Sequence, residues 1–304
     1  MKNLLDIKTT QKEDIQDILD RARKYKNALE KGARCDNVLS GKVIVNMFFE
    51  NSTRTLTSFQ MAAYRLGAQV INWDASSSSV SKGETFSDTM QCVAGYNPDA
   101  VVVRHSEFKA PYTVQKFLDC PVVNAGDSWR AHPSQALLDA FTIQELKGRL
   151  EGVIVAICGD VAHSRVASSN IELLGRVGAN VHIVAPESLL PDVSKQEHVS
   201  VFNSLEAGLV DCDVVMMLRN QKERMTSVDI PDDTEFFHAY GLTQERLAIA
   251  KPDAIVLHPG PMNRNVEISD DVADDPERSK IFHQMANGLP VRMAIFDQLM
   301  SGER

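Results

Sequence analysis

Short apolar runs alternate with stretches of helical period along nearly the whole chain. Val43–Phe49, Gln69–Trp73, Ala100–Arg104 and Pro121–Asn124 are compact runs with β-branched residues, which predicts strands buried on both faces. Between the first two, Phe59, Ala62, Ala63 and Leu66 stand at i, i+3, i+4 and i+7, one face of a helix. The alternation restarts with Val153–Cys158, Val181–Ala185, Asp213–Leu218 and Ala254–His258. Two sets of about four strands, each interleaved with helices, predict an α/β protein of two parallel-sheet domains. The segment from His132 to Gly148 reads as a connecting helix, with Leu137, Leu138 and Phe141 on one face and Gly148 at its end. The last apolar stretch predicts two helical segments divided at Gly288–Leu289–Pro290, with Pro290 in a first turn. Ser76–Ser79 reads as a flexible loop.

Composition narrows the functional classes. The 304 residues are 43% hydrophobic and 24% charged, ordinary usage for a folded protein, and long enough for two cores. No apolar run approaches the roughly 20 residues that span a bilayer, and the N-terminus turns acidic without a signal-peptide stretch. A soluble, cytoplasmic protein with no membrane contact is expected. Cys35, Cys92, Cys120, Cys158 and Cys212 are far apart in sequence and form no CxxC pair, so neither a disulfide framework nor a zinc site is expected. A net charge of −9 argues against nucleic acid as a partner, yet leaves room for a small anion held by a local cationic cluster.

Six segments carry candidate chemistry. Ser52, Thr53, Arg54 and Thr55 open a helix after a buried strand, where backbone N–H groups and the helix dipole favour an anion. Plain helix capping by Ser52 or Thr53 is the alternative. Arg104 ends an apolar strand, facing either a ligand or a structural ion pair. His132 and Gln135, three residues apart at a helix start, are suited to polarising a carbonyl, or merely to capping. Arg165 lies in the strand-to-helix turn Cys158–Ser169, whose glycine content is too low for a dinucleotide fingerprint, and its guanidinium suits a carboxylate. His163 beside it has no partner in sequence and reads as a surface or turn residue. Arg219 and Gln221 follow another strand and share a face if the chain stays extended, whereas Lys222, Glu223 and Arg224 read as a solvated loop. His258–Pro259–Gly260–Pro261 forms a rigid turn that can aim carbonyls at a ligand or simply reverse the chain.

Each segment sits at the C-terminal end of a predicted strand or the start of the next helix, the edge where open α/β sheets bind ligands. No acidic general base and no paired nucleophile stands out. The inventory suits anion binding and oxyanion stabilisation without covalent catalysis.

The order S-T-R-T, R-H-S, H-P-S-Q-A-L-L-D and H-P-G-P-M-N-R resembles the aspartate/ornithine carbamoyltransferase family over essentially the whole chain. The resemblance implies a carbamoyl-phosphate domain of residues 1–132 plus 284–304, an amino-acid domain of residues 133–283, and an active site between them. It further implies that Ser52, Thr53, Arg54 and Thr55 cradle the phosphate, and that Thr55, Arg104 and His132 bind the carbonyl oxygen. Gln135 with the backbone of Pro259, Gly260 and Pro261 would hold the carbamoyl amine. Lys82, Arg165, Arg219 and Gln221 would bind the carboxylates of L-aspartate, with Ser78 and Lys82 supplied by a neighbouring subunit of a homotrimer. Direct attack of the aspartate amine on carbamoyl phosphate, in pyrimidine synthesis, is the implied reaction, with no metal or cofactor. Regulatory or dihydroorotase-like chains are compatible partners. Absence of cysteine after His258, and R-x-Q-x-E-R from Arg219, favour aspartate over ornithine as acceptor. Transfer to ornithine or a related amino acid, and a non-catalytic relative, are the rival readings. Asn51, where many members have Pro, and Ser134, where many have Thr, are mild departures. Trp129 and Arg130 have no account from sequence.

Overall fold

The computed structural model describes residues 1–74, 85–221 and 232–301. The chain divides into two compact units, Met1–Phe141 with Asn287–Arg304, and Thr142–Ala286.

In the first unit, β1 (Val43–Phe48), β2 (Gln69–Asp74), β3 (Ala100–His105) and β4 (Val122–Asp127) form a parallel sheet in the order β2-β1-β3-β4. Around it run α1 (Lys12–Glu30), α2 (Thr53–Arg65), α3 (Phe86–Gly95) and α4 (Ala110–Gln115). In the central strands β1 and β3, Ile44, Val45 and Met47 pair with Ala100, Val101 and Val103, and Asn46 pairs with Val102, all buried. Burying each of the larger apolar side chains among them contributes roughly 1.5–3 kcal/mol. One face packs Met47, Val101 and Val103 on Met90, Val93 and Val114 of α3 and α4. Helix α2 presents Phe59, Ala62 and Ala63, and Leu66 closes its last turn.

The chain leaves the first unit within α5 (Pro133–Lys147) and enters the second. There β5 (Ile154–Cys158), β6 (Asn180–Val184), β7 (Val199–Phe202), β8 (Val214–Met217) and β9 (Ile255–Leu257) form a parallel sheet ordered β7-β6-β5-β8-β9. Helix α6 (Arg165–Arg176) follows β5, and α7 (Leu205–Gly208), α8 (Asp233–Tyr240), α9 (Gln244–Leu247) and α10 (Asp270–Ala273) are short. The core here joins Ala156, Cys158, Val215, Met217 and Val256 to Ile268 and Val272. Strand β7 is absent from the sequence reading. It is an edge strand whose Ser200 and Val201 are exposed, so it lacks the continuous apolar run of its neighbours.

The C-terminal stretch corrects the sequence reading: α11 (Ile281–Met300) is one helix with Pro290 inside it. Proline there forgoes one backbone bond and normally breaks a helix. Burial of Val291, Met293, Ala294, Ile295 and Phe296 on the turns after it outweighs that loss.

Candidate active site

In each sheet the strand order reverses direction once. Ser52–Thr55 and Arg104 lie at the ends of the strands beside the first reversal, and Arg165, Arg219 and Gln221 follow those beside the second. His132 and Gln135 follow edge strand β4, and Pro259–Gly260–Pro261 follows edge strand β9. In the first unit the chain passes from β1 outward to β2 and then back across to β3, so the crevice lies at the C-terminal ends of β1 and β3. Register pairing of Phe48 with Arg104 puts the start of the Ser52–Thr55 segment beside Arg104.

Ser52 is the N-cap of α2, but its side chain makes no capping bond, and the first turn carries no acidic residue. The helix start thus keeps its donors and its dipole for an external anion. Arg54 is exposed, and Thr55 behind it is buried. Arg104 is held from two sides: its Nε lies 3.3 Å from Glu50 Oε2, and its Nη1 donates to Ala125 O at 3.3 Å. The ion pair entertained from sequence therefore exists, and it aligns the guanidinium at the strand end.

His132 immediately precedes α5 and is buried, with Ser134 Oγ 3.4 Å from its Nδ1. The N–H groups of Gln135 and Ala136 bond back to His132 O, which makes His132 the helix-opening residue. Gln135 Nε2 donates to Asp139 Oδ1 at 2.9 Å inside the helix start. A carboxylate only accepts, so the amide nitrogen is turned to Asp139 and the amide oxygen is turned away.

Arg130, unexplained by sequence, is a clamp. Its Nε and Nη2 hold Asp127 at 2.6 and 3.2 Å, while Nη1 holds Asp6 at 2.7 Å and Nη2 also reaches Leu5 O at 3.3 Å. Burial opposes ionisation of Asp6, yet the Tyr112 hydroxyl and Arg130 hold its carboxyl below the usual range. The loop that delivers His132 is thereby tied to the N-terminal segment. Trp129 stays half exposed against Phe108, their centroids 6.2 Å apart. His105, next to Arg104, accepts from Glu107 N at 2.9 Å through Nδ1. Burial pushes its pKa down, against the pull of Glu107 and Glu50, so the ring is neutral.

The second unit repeats the arrangement. Its strand order reverses between β5 and β8, and Cys158 pairs with Met217, so the segments after both strands lie side by side. Gly159 is needed at φ +114°, because a Cβ there would stand 2.7 Å from Leu218 O. Arg165 is buried in the first turn of α6, with Ser164 capping that helix through Ala167 N. Arg219 Nη2 donates to Gln221 Oε1 at 3.3 Å, so this pair shares a face. Fully buried Asp160 links the two segments: Oδ1 accepts from His163 N and faces His163 Nδ1 at 2.9 Å, and Oδ2 accepts from Gln221 N at 3.1 Å. His163 is thus a turn residue with a partner, and the sequence reading that gave it none is corrected.

His258 organises the last turn. Gly260 N donates to its Nδ1, so Nε2 carries the proton and donates to buried Glu267 at 3.0 Å. Gln284 Oε1 takes the His258 N–H. Pro259 and Gly260 are half-buried, Gly260 has φ +66°, and the Gly260–Pro261 bond is cis. The start of this turn is therefore fixed through His258, which Gln284 holds at its N–H and Glu267 at its ring.

Ser78 and Lys82 lie outside the described residues, as do Lys222, Glu223 and Arg224. Glu50, Asp139 and Asp160 went unremarked in the sequence: Glu50 faces Arg104 from another strand end, Asp160 accepts from the backbone of His163 and Gln221, and Asp139 accepts from Gln135 one helical turn away. Among the described residues no cluster of His, Cys, Asp and Glu has a metal-binding arrangement.

Residues 2–145 match the carbamoyl-phosphate-binding domain of aspartate/ornithine carbamoyltransferase, and residues 151–299 match its aspartate/ornithine-binding domain. The aspartate carbamoyltransferase catalytic subunit of Granulibacter bethesdensis is 50% identical over 98% of this chain and 94% of its own. That of Rhodospirillum centenum is 49% identical over 100% of this chain and 95% of its own. Aspartate transcarbamoylase from Trypanosoma cruzi in complex with N-(phosphonacetyl)-L-aspartic acid superposes with a TM-score of 0.89 at 30% identity, covering 98% of this chain and 96% of that one. Ornithine carbamoyltransferase from Pyrococcus furiosus superposes with a TM-score of 0.89 at 28% identity, covering 100% and 98%. This chain therefore belongs to the aspartate/ornithine carbamoyltransferase family.

Proposed function

We propose that the chain is an aspartate carbamoyltransferase, moving the carbamoyl group of carbamoyl phosphate to the amine of L-aspartate to give N-carbamoyl-L-aspartate and phosphate. The observation that carries this is the uncapped start of α2, where Ser52, Thr53, Arg54 and Thr55 stand beside Arg104 with no acidic residue in the turn. Phosphate leaves into that helix end. Thr55, Arg104 and His132 stabilise the oxyanion that forms when the amine attacks the carbonyl carbon, an effect worth about 3–4 kcal/mol per good donor. The C–O bond to phosphate then breaks, and the departing phosphate oxygens are basic enough to take the amine proton. Gln135 and the turn Pro259–Gly260–Pro261 receive the carbamoyl N–H groups. Arg165, Arg219 and Gln221, with Lys82, take the carboxylates of aspartate.

The acceptor is chosen by sequence more than by backbone. The superposition on the ornithine enzyme is as close as that on the aspartate enzyme, whereas the 50% identical relative carries the aspartate name. Cationic Arg165 and Arg219 complement a second carboxylate and repel an ammonium group.

A homotrimer, placed in the cytoplasm and in pyrimidine synthesis, completes the proposal. Strand β2 is an edge of its sheet and leads directly into residues 75–84, which include Ser78 and Lys82. Ile71 on that edge and Met61 and Tyr64 on α2 are exposed, an apolar border that a second copy would cover. Among the described residues no helix is long and apolar enough to cross a membrane.

The test is turnover of carbamoyl phosphate with L-aspartate and with L-ornithine offered separately, following the ureido product. Product from aspartate alone supports the proposal. Product from ornithine alone moves the chain to the sister branch and removes the role given to Arg219.

A further inference from the structure

The turn after β9 presents acceptors and no donors. Pro259 and Pro261 have no backbone N–H, and the one N–H between them, from Gly260, is spent on His258 Nδ1 at 2.9 Å. Among the described residues nothing donates to the carbonyls of Pro259, Gly260 and Pro261. Pro259 and Gly260 are half-buried, which partly shelters these carbonyls from water. Such a patch recognises a ligand by its hydrogen-bond donors.

One side chain holds both ends of that turn. Glu267 Oε1 accepts from His258 Nε2 at 3.0 Å and from Asn263 N at 2.5 Å. Its other oxygen, Oε2, is buried without a partner, so its bonding converges on the single point between the two ends. Glu267 is itself anchored. Its carbonyl accepts from Leu242 N at 3.0 Å, its N–H donates back to Asn263 O at 3.4 Å, and the next residue, Ile268, lies in the core. Glu267 and His258 are both fully buried. A buried carboxylate adds little net stability compared with an apolar side chain, whereas it can fix one geometry.

We propose that Glu267 is a positioning residue that, through His258 and Asn263, holds the Pro259–Gly260–Pro261 carbonyls so that they select the amine of carbamoyl phosphate against other acyl phosphates. The inference rests on the carbamoyl-phosphate reading above and gives its amine subsite a test of its own. Acetyl phosphate is the informative comparison, because it has the same phosphate and carbonyl with a methyl group in place of the amine. A methyl group offers no donor, and it displaces water from the carbonyls without replacing the bond. The groups proposed for the phosphate and the carbonyl oxygen meet both ligands alike. Discrimination falls to Gln135 and this turn, and Glu267 acts on the turn alone.

The experiment is calorimetric titration of the full chain with carbamoyl phosphate and, separately, with acetyl phosphate. Glu267→Gln keeps the accepting oxygen and the reach without the charge. Glu267→Asp keeps the charge but falls a methylene short, and His258→Phe keeps a ring without its nitrogens. Glu267→Asp and His258→Phe should each weaken carbamoyl phosphate by about fivefold or more, while acetyl phosphate changes by less than about twofold. Glu267→Gln should keep the wild-type ratio of the two affinities. Equal loss for both ligands, or a wild-type ratio in folded Glu267→Asp, overturns the clamp. If His258→Phe fails to fold, Glu267→Asp and Glu267→Gln decide alone. A wild-type chain that binds both ligands equally refutes the amine subsite; one that binds phosphate but neither acyl phosphate refutes the carbamoyl-phosphate reading instead.

Discussion

Arg54 and Arg130 are both arginines at the edge of one sheet, yet they should fail in opposite ways when replaced. Arg54 is exposed at the uncapped start of α2, so Arg54→Ala should leave thermal unfolding nearly unchanged. Its turnover should fall by about 100-fold or more, because charge on the leaving phosphate loses a fixed partner. A steady-state assay beside a melting curve checks both halves, and near-wild-type turnover would remove Arg54 from the site. Arg130 is tied to Asp6 and Asp127, and Asp127 is fully buried. Arg130→Met should cost about 3 kcal/mol in urea unfolding, since it strands buried carboxylates. His105 sets a pH dependence. Its folded-state pKa is lowered by burial, so the unfolded chain binds the proton more readily. Stability is therefore full above pH about 6.5 and declines as pH falls below it toward the folded-state value. His105→Gln, which keeps an acceptor for Glu107 N, should flatten urea-measured stability between pH 7.5 and pH 5; an unchanged slope would show that other groups carry it. From sequence, Arg54 was legible through its helix-start context. Arg130 was not, because its partners Asp6 and Asp127 reach it from another segment and from its own turn.

At the scale of elements, the apolar runs located every described strand but β7, whose outer residues face solvent. The Gln69–Trp73 run is a strand, but an edge strand with Ile71 and Asn72 exposed, not the buried one its composition predicts. Helix α2 shows how a terminus is set by packing as well as by propensity. Its last residues are followed by Gly67 at φ +87°, where a Cβ would stand 1.8 Å from Asp36 O. Leu39 N donates to Leu66 O at 2.7 Å, locking the 36–39 turn onto this helix end. Gly67→Ala should cost about 2 kcal/mol or more by chemical denaturation, since it meets both the left-handed backbone penalty and a backbone clash. A loss below about 0.5 kcal/mol would mean the 36–39 turn yields freely. Pro290 gave the opposite lesson. Local chemistry predicted a break, and α11 continues because Val291, Met293, Ala294, Ile295 and Phe296 on the turns after Pro290 are buried in place.

For the whole molecule, the proposed sharing of Lys82 between subunits makes a sharp prediction. Chains carrying Lys82→Ala and chains carrying Arg54→Ala should each be inactive, and mixing them through dissociation and reassociation should restore part of the activity. Strict inactivity of a verified mixed oligomer would argue that each chain completes its own site. Sequence by itself determined the α/β class, the paired runs of strands and the family, because burial pattern and motif order are local properties written along the chain. Only the tertiary structure decided the strand order, which brings Arg104 beside Ser52–Thr55 and Arg219 beside the Arg165 segment. It also decided the carboxylates that orient the site. Glu50, Asp139 and Asp160 meet Arg104, Gln135, His163 and Gln221 through folded geometry, partly across long stretches of sequence. The reason is physical: hydrophobic period is fixed by neighbours in sequence, whereas pairing of charges and amides is fixed by neighbours in space.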